Sequence, residues 1–144
     1  MVLHAHDLGR FVQAQEEDYE RALAEIRSGH KRSHWMWYIF PQIGGLGSSS
    51  MARMYAIKTV AEAEAFLRHP ILGPRLRQIM EATLQVQGRS ALAIFGSTDE
   101  LKLRSCATLF ASVSPAGSVF ELVLDKYFQG ARDSRTLELL GVGS

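Results

Sequence analysis

Leu8-Gly9-Arg10-Phe11-Val12-Gln13-Ala14-Gln15-Glu16-Glu17-Asp18-Tyr19-Glu20-Arg21-Ala22-Leu23-Ala24-Glu25-Ile26-Arg27-Ser28-Gly29 is the stretch that decides the fold class. Leu8, Phe11, Val12, Gln15, Tyr19, Ala22, Leu23 and Ile26 recur every three or four residues, the spacing of one helix face. Asp7 stands where an N-cap is expected and Gly29 where a helix stops, leaving open one long helix or two short ones. The same punctuation continues downstream. Trp35 to Phe40 is a short apolar turn or helix closed by Pro41, and Gly44 to Ser50 reads as loop. Thr59-Val60-Ala61-Glu62 forms a capping-box pattern that opens a helix to His69. Gly73-Pro74 opens a helix that Gly88 closes, and Ser90 caps residues 91–95. Ser97-Thr98-Asp99-Glu100 is a second capping-box pattern, leading through Leu101, Leu103, Leu109, Phe110 and Val113. Ser118 opens a helix to Phe128, stopped by Gly130, and Asp133 caps one running to Leu140. Ala, Leu and Met number 38 against 20 for Ile, Val and Thr, so helix formers dominate. The expectation is all-α, with residues 1–144 forming one compact orthogonal domain of about six to eight short helices.

Composition bounds the function. Leu, Ile, Val and Phe make up 39 of 144 residues, above the range in which disorder is the default. The net charge of +1 gives no whole-molecule field toward nucleic acid or anionic membranes. Twelve of the 16 basic residues are arginines, so local anion sites stay open. The single Cys106 excludes an internal disulfide and a cysteine-built zinc site. The beginning of the chain, Met1 to Asp7, has neither the basic start nor the apolar run of a signal peptide. The uncharged stretch from Ser33 to Ala52 is broken by Pro41 and three glycines, so it does not read as a membrane span. The expected setting is the cytoplasm.

Lys31-Arg32-Ser33-His34-Trp35-Met36-Trp37-Tyr38-Ile39-Phe40-Pro41-Gln42 is the segment densest in chemistry. It places two cations, a hydroxyl and an imidazole before four aromatic rings, the combination that an aromatic or nucleotide-like anion needs. Its candidate ligand-binding residues are Arg32, Ser33, Trp35, Trp37 and Gln42, and His34 is a candidate general acid or base. The competing reading makes the rings core anchors and the cations solvated. Gly44 to Ser50 lacks the Gly-Lys-Ser/Thr ending of a phosphate loop and reads as a flexible connection, with a lid over the aromatic segment as the alternative. Lys102, Arg104 and Ser105 form a second basic block on a helix, where Ser105 and Thr108 share a side. Asp125, inside a helix with Lys126, Arg104 and His34 as candidate partners, is the second catalytic candidate. Cys106 carries no nucleophile signature. Metal binding has little support, since His4 and His6 lie in a tail and no His-Glu-x-x-His helix exists. No cofactor is implied.

At these same residues the chain resembles the DUF 1810 family of small bacterial proteins, whose members often carry the label calpastatin. The matching blocks are Asp7-Leu8…Arg10-Phe11…Ala14-Gln15…Tyr19…Ala22-Leu23, then Lys31 through Gln42, and Gly45-Leu46-Gly47 with Met51-Ala52…Tyr55-Ala56-Ile57. They continue through His69-Pro70…Leu72-Gly73, Ile94-Phe95-Gly96 and Lys102-Leu103-Arg104-Ser105, to Phe120…Lys126-Tyr127-Phe128…Gly130…Asp133…Thr136. The likeness covers nearly the whole chain, and the Ser-His-Trp-Met-Trp and Phe-Pro-Gln words are specific to it. His30 departs from the Arg or Lys expected there. The resemblance implies a mainly helical single domain and no established activity. The calpastatin label does not suit this composition, because such an inhibitor is a long disordered chain. Phe11…Gln13-Ala14-Gln15 and Lys126…Gly130…Leu139-Leu140 are also loosely similar to helical proteins that act on ADP-ribose derivatives.

Three functions follow as expectations. The first is an enzyme or binding protein for an anionic small molecule of nucleotide type, such as an ADP-ribose derivative. There Trp35 or Trp37 stacks the base, Arg32, Lys102 or Arg104 holds phosphate, and His34 or Asp125 moves a proton. The alternative is a non-catalytic protein-interaction module. Nucleic-acid binding is disfavoured by the charge. Convergence of the two basic blocks on one cavity favours the first, and a large exposed apolar patch the second.

Overall fold

The stripe that opens the chain folds as one helix, α1 (Gly9–Arg27), whose buried face carries Phe11, Gln15, Tyr19, Ala22, Leu23 and Ile26. The computed structural model describes residues 7–141, so His4 and His6 lie outside it. Asp7 does not cap α1. Leu8 occupies that position without a side-chain bond, and the Asp7 carbonyl instead accepts from the Arg10 guanidinium. Gly29, at φ +78°, makes the left-handed turn that ends the helix.

Trp35 to Phe40 becomes α2 (Met36–Ile39), closed before Pro41. After the Gly–Ser loop comes α3 (Ser50–Met54), a helix that the sequence reading does not anticipate. Ser49, read as loop, is its N-cap and accepts from the Ala52 N–H at 3.1 Å. Then follow α4 (Val60–Arg68), α5 (Leu72–Gln85), α6 (Ala91–Phe95), α7 (Ser97–Ala111), α8 (Val119–Phe128) and α9 (Ser134–Leu140). The caps at Thr59, Ser90, Ser118 and Asp133 form as expected. The one expected at Ser97–Glu100 does not: Gly96, at φ +87°, precedes the helix and no side chain caps it. Nine helices therefore stand among the described residues where six to eight were expected, α3 being the addition. The molecule is an all-α single domain, 65% of the described residues being helical.

A chain of phenyl rings crosses the core. Phe11 of α1 meets Phe66 of α4 edge-on at 5.1 Å, Phe66 meets Phe110 of α7 at 5.4 Å, and Phe110 meets Phe120 of α8 at 5.7 Å. α7 is flanked by α6, α8, α9 and α4, so its middle is buried on all sides, whereas α5 packs on α1, α4 and α8. A second aromatic run, Trp35–Phe40–Phe95, ties α2 to α6. Outside the helices, Ile43 and Ile57 form an isolated parallel bridge. Gly44 N–H donates to Ile57 O and Ile57 N–H to Gln42 O, both at 2.8 Å. Residues 44–56, the Gly–Ser loop and α3, are thus an excursion with both ends pinned to the body.

Candidate functional site

Residues Lys31 to Trp35 are not helical, so their backbone N–H groups need partners from elsewhere. Glu25, in the last turn of α1, supplies two of them. Its Oε1 accepts from the backbone N–H groups of Arg32 (2.8 Å) and Ser33 (3.0 Å) and from the Trp35 indole (2.9 Å). Its Oε2 accepts from the Ser33 hydroxyl at 2.6 Å. Burial raises the pKa of this carboxyl, but the four donors outweigh it and hold the group at about 2. The Lys31 N–H meanwhile donates to Ile94 O at 2.8 Å. The segment is clamped from both sides, and Trp35, fully buried, is a core residue with a satisfied indole.

Lys31 is drawn inward as well. Its side chain is only 7% exposed and bonds Asp99 Oδ2 at 2.8 Å, while its ammonium lies 4.8 Å from the Trp35 ring centroid. Asp99 uses its other oxygen on Lys102, at 3.1 Å. Burial acts to raise the Asp99 pKa, but the hydrogen bonds and charges of Lys31 and Lys102 prevail and hold it below the ordinary value. The two basic blocks, about 70 residues apart in sequence, therefore meet through one carboxylate.

Beside Lys102 opens a cleft of about 420 Å³ lined by Trp37, Gln42, Lys102, Ala52 and the loop residues from Leu46 to Ser49. A narrower crevice of about 20 Å³ continues beneath it toward Ile43 and Tyr55, room for about one water molecule. The loop wall is held in shape. Arg53 Nε donates to Ser48 O at 2.9 Å, and a Cβ on Gly47 would come within 2.8 Å of the Ala52 Cβ. Gly45, at φ +101°, sits against Leu139 of α9. Trp37, unlike Trp35, is only partly buried and offers part of its ring to this space.

Two further clefts flank α5, of about 290 Å³ and 540 Å³. Each balances one arginine, Arg27 or Arg77, against Glu81. Of these three clefts among the described residues, the Trp37 cleft alone combines an aromatic face with a lysine and no carboxylate in its lining.

The model of the family described as "Protein of unknown function (DUF1810)" matches residues 5–140. The chain belongs to the DUF1810 family. This DUF1810 chain is also similar to the crystal structure of the conserved hypothetical protein Rv1873 from Mycobacterium tuberculosis. The two share 50% identity over 95% of this chain and 98% of that one, with a TM-score of 0.92. A search of curated proteins finds no match.

The remaining candidate residues of the DUF1810 chain lie elsewhere than in the cleft lining. Arg32 and His34 are exposed, and Ser33 is committed to Glu25. Arg104 donates from Nε to Ala131 O at 2.9 Å and from Nη2 to Arg132 O at 3.3 Å, joining α7 to the α8–α9 connection. Ser105 is buried and donates to Leu101 O. Thr108 donates to Arg104 O and accepts from the Asp133 N–H, so this buried hydroxyl pins the start of α9 rather than facing a polar pocket. Asp125 is exposed near Gly130. Cys106 is buried, which pushes its thiol pKa well up. Sequence reasoning missed Glu25 and Asp99. Asp99 had a legible signal, three residues before Lys102 on a helix face; Glu25 had none, because its partners lie across a turn. It also missed Arg10, which holds Met54 O and Ala56 O at 2.7 Å and Glu62 at 3.3 Å, fixing the far end of the excursion. Among the described residues, no three His, Cys, Asp or Glu side chains cluster as metal ligands, and no helix is long and apolar enough to cross a membrane.

Proposed function

We propose that this DUF1810 protein binds a small nucleotide-like anion in the cleft between α2, the Gly–Ser loop and α7. The observation that carries this reading is the joint presence of Trp37, Gln42 and Lys102 around one cavity of about 420 Å³, within the roughly 300–1,000 Å³ range of small-ligand sites. Trp37 stacks a planar ring, the Gln42 amide and the Ser48 and Ser49 hydroxyls read its edge, and Lys102 holds the anionic group as a charge-assisted partner. His34 and Asp125 do not line the cleft, so the proposal is one of binding and assigns no proton transfer. The alternative, an interaction module, draws on Leu92 and Leu101, each more than half exposed on the neighbouring helices α6 and α7.

The test is a thermal-shift and tryptophan-quenching screen with mononucleotides, NAD, ADP-ribose and sugar phosphates. A ligand at 100 times its Kd stabilises the fold by about 2.7 kcal/mol. Trp37→Phe should abolish the quenching, because Trp35 is sealed in the core. If no anion raises the Tm, the cleft reading falls and the interaction module takes its place.

A further inference from the structure

We infer that the cleft selects a planar ligand carrying a single negative charge, a carboxylate or a phosphodiester, and that Asp99 is the residue that sets this limit. The inference rests on the cleft being a small-ligand site and concerns which ligand it accepts.

The argument is one of charge and free hydrogen-bond directions. Two lysines stand at this end of α7, which suggests a site for a phosphate chain. Lys31, however, is spent. Its ammonium is occupied by Asp99 and the Ser33 carbonyl, lies against the Trp35 ring, and is almost wholly buried. Lys102 alone reaches the cleft, with its side chain 20% exposed and one of its three donors given to Asp99. The Lys31–Asp99–Lys102 cluster sums to one positive charge.

An anionic oxygen bonded to the Lys102 ammonium also lies within about 6 Å of Asp99 Oδ1, since that oxygen is itself 3.1 Å from the same nitrogen. Asp99 is 20% exposed, so its field reaches the cleft mouth with partial screening. One ligand charge is matched by Lys102. A second or third meets the Asp99 carboxylate, and the cleft lining holds no other cation; Arg53, behind the loop wall, is turned onto Ser48 O. At such separations a like charge in partly screened surroundings changes affinity by about tenfold. The neutral donors of the cleft, Gln42, Ser48 and Ser49, bond a carboxylate or phosphodiester oxygen without adding charge.

The experiment is a titration by tryptophan quenching at pH 7.5 and about 50 mM salt, where surface charges are weakly screened. The probes are cyclic AMP with one fixed charge, AMP with close to two, ADP with more, and nicotinate as the carboxylate. In the unaltered protein cyclic AMP should bind about tenfold more tightly than AMP, and AMP more tightly than ADP. Nicotinate binding more tightly than cyclic AMP assigns the carboxylate, and nicotinate failing where cyclic AMP binds assigns the phosphodiester. Asp99→Asn should shift the cyclic AMP to ADP ratio by about tenfold toward ADP, while Lys102→Gln should weaken every probe. Should Asp99→Asn not fold, because Lys31 has lost its partner, the ranking in the unaltered protein decides alone. ADP binding more tightly than cyclic AMP overturns the inference and leaves the cleft reading intact. Failure of all four probes overturns both.

Discussion

The two basic blocks, Lys31–His34 and Lys102–Ser105, are alike in composition and unlike in use. Each has two cations and a hydroxyl next to apolar anchors. The second lies within α7, where the backbone satisfies itself, so its side chains are distributed around the helix by geometry alone. Lys102 faces the cleft, Arg104 the α8–α9 connection, and Ser105 bonds back to Leu101 O. The first block has no helix of its own. The Arg32 and Ser33 N–H groups, the Ser33 hydroxyl and the indole of the following Trp35 are gathered by Glu25, and the Lys31 ammonium by Asp99. In the first block Lys31 and Ser33 are recruited to hold non-helical backbone while Arg32 and His34 stay exposed, and in the second the position on the helix decides whether a side chain ties the fold or faces the cleft. The first block should therefore answer mutation with lost stability, and the second with position-dependent effects.

The sharpest break would come at Trp35. Removing this fully buried ring strips the contact with Phe40 and the packed floor beneath the segment. Trp35→Ala should cost about 3–5 kcal/mol in urea unfolding. Trp37→Ala, two residues on but only partly buried, should cost about 1–2 kcal/mol by the smaller area it buries. Equal losses at the two positions would erase the distinction between anchor and cleft wall.

Glu25 comes next. Glu25→Ala leaves the Trp35 indole and the Arg32 and Ser33 amides without their acceptor, and about 2–3 kcal/mol of destabilisation is expected. The pH dependence carries the sign. The folded carboxyl titrates at about 2 and its ordinary value is 4.5, so the unfolded chain takes up the proton first. Its contribution is complete above pH 4.5 and is lost as pH falls toward 2. Denaturant midpoints measured from pH 6 down to 2 should fall more steeply for the unaltered protein than for Glu25→Ala. Parallel curves would show that Glu25 does not hold the segment through its charge.

How much of this was legible follows from what each signal spans. The stripe of α1 is periodic along one helix, and the caps at Thr59, Ser90, Ser118 and Asp133 are patterns within one turn of chain; both read correctly. α3 was hidden because Ser48-Ser49-Ser50 has the composition of loop, and a five-residue helix leaves no periodicity to see. Ser97–Glu100 had the letters of a capping box, yet the helix starts one residue early, with Ser97 already helical and Gly96 in the N-cap place, so the box is out of register. At the site, the residue types were readable and their sorting was not. Which tryptophan is sealed depends on a carboxylate ten residues earlier, and which cation is free depends on two carbonyls of the 131–132 connection. Neither relation is periodic.

The smallest effects test the second block, where Lys102 and Arg104 sit two residues and about 200° apart around α7. Arg104→Met removes two bonds to the Ala131 and Arg132 carbonyls and a contact with the Phe128 ring at 5.8 Å. The carbonyls lie at the surface, where water replaces part of what is lost, so about 1–2 kcal/mol of stability should go. Lys102→Met breaks one partly exposed ion pair, and Asp99 keeps Lys31, so the loss should stay under about 1 kcal/mol. Ligand affinity should run the other way, falling with Lys102→Met and holding with Arg104→Met. The two side chains share no hydrogen-bonding partner, and the stability costs in the double variant should add within about 0.5 kcal/mol. Because each variant acts as the other's control, a loss of affinity in Arg104→Met equal to that in Lys102→Met would mean that α7 answers as a unit, and the assignment of the cleft to one of its faces would fail.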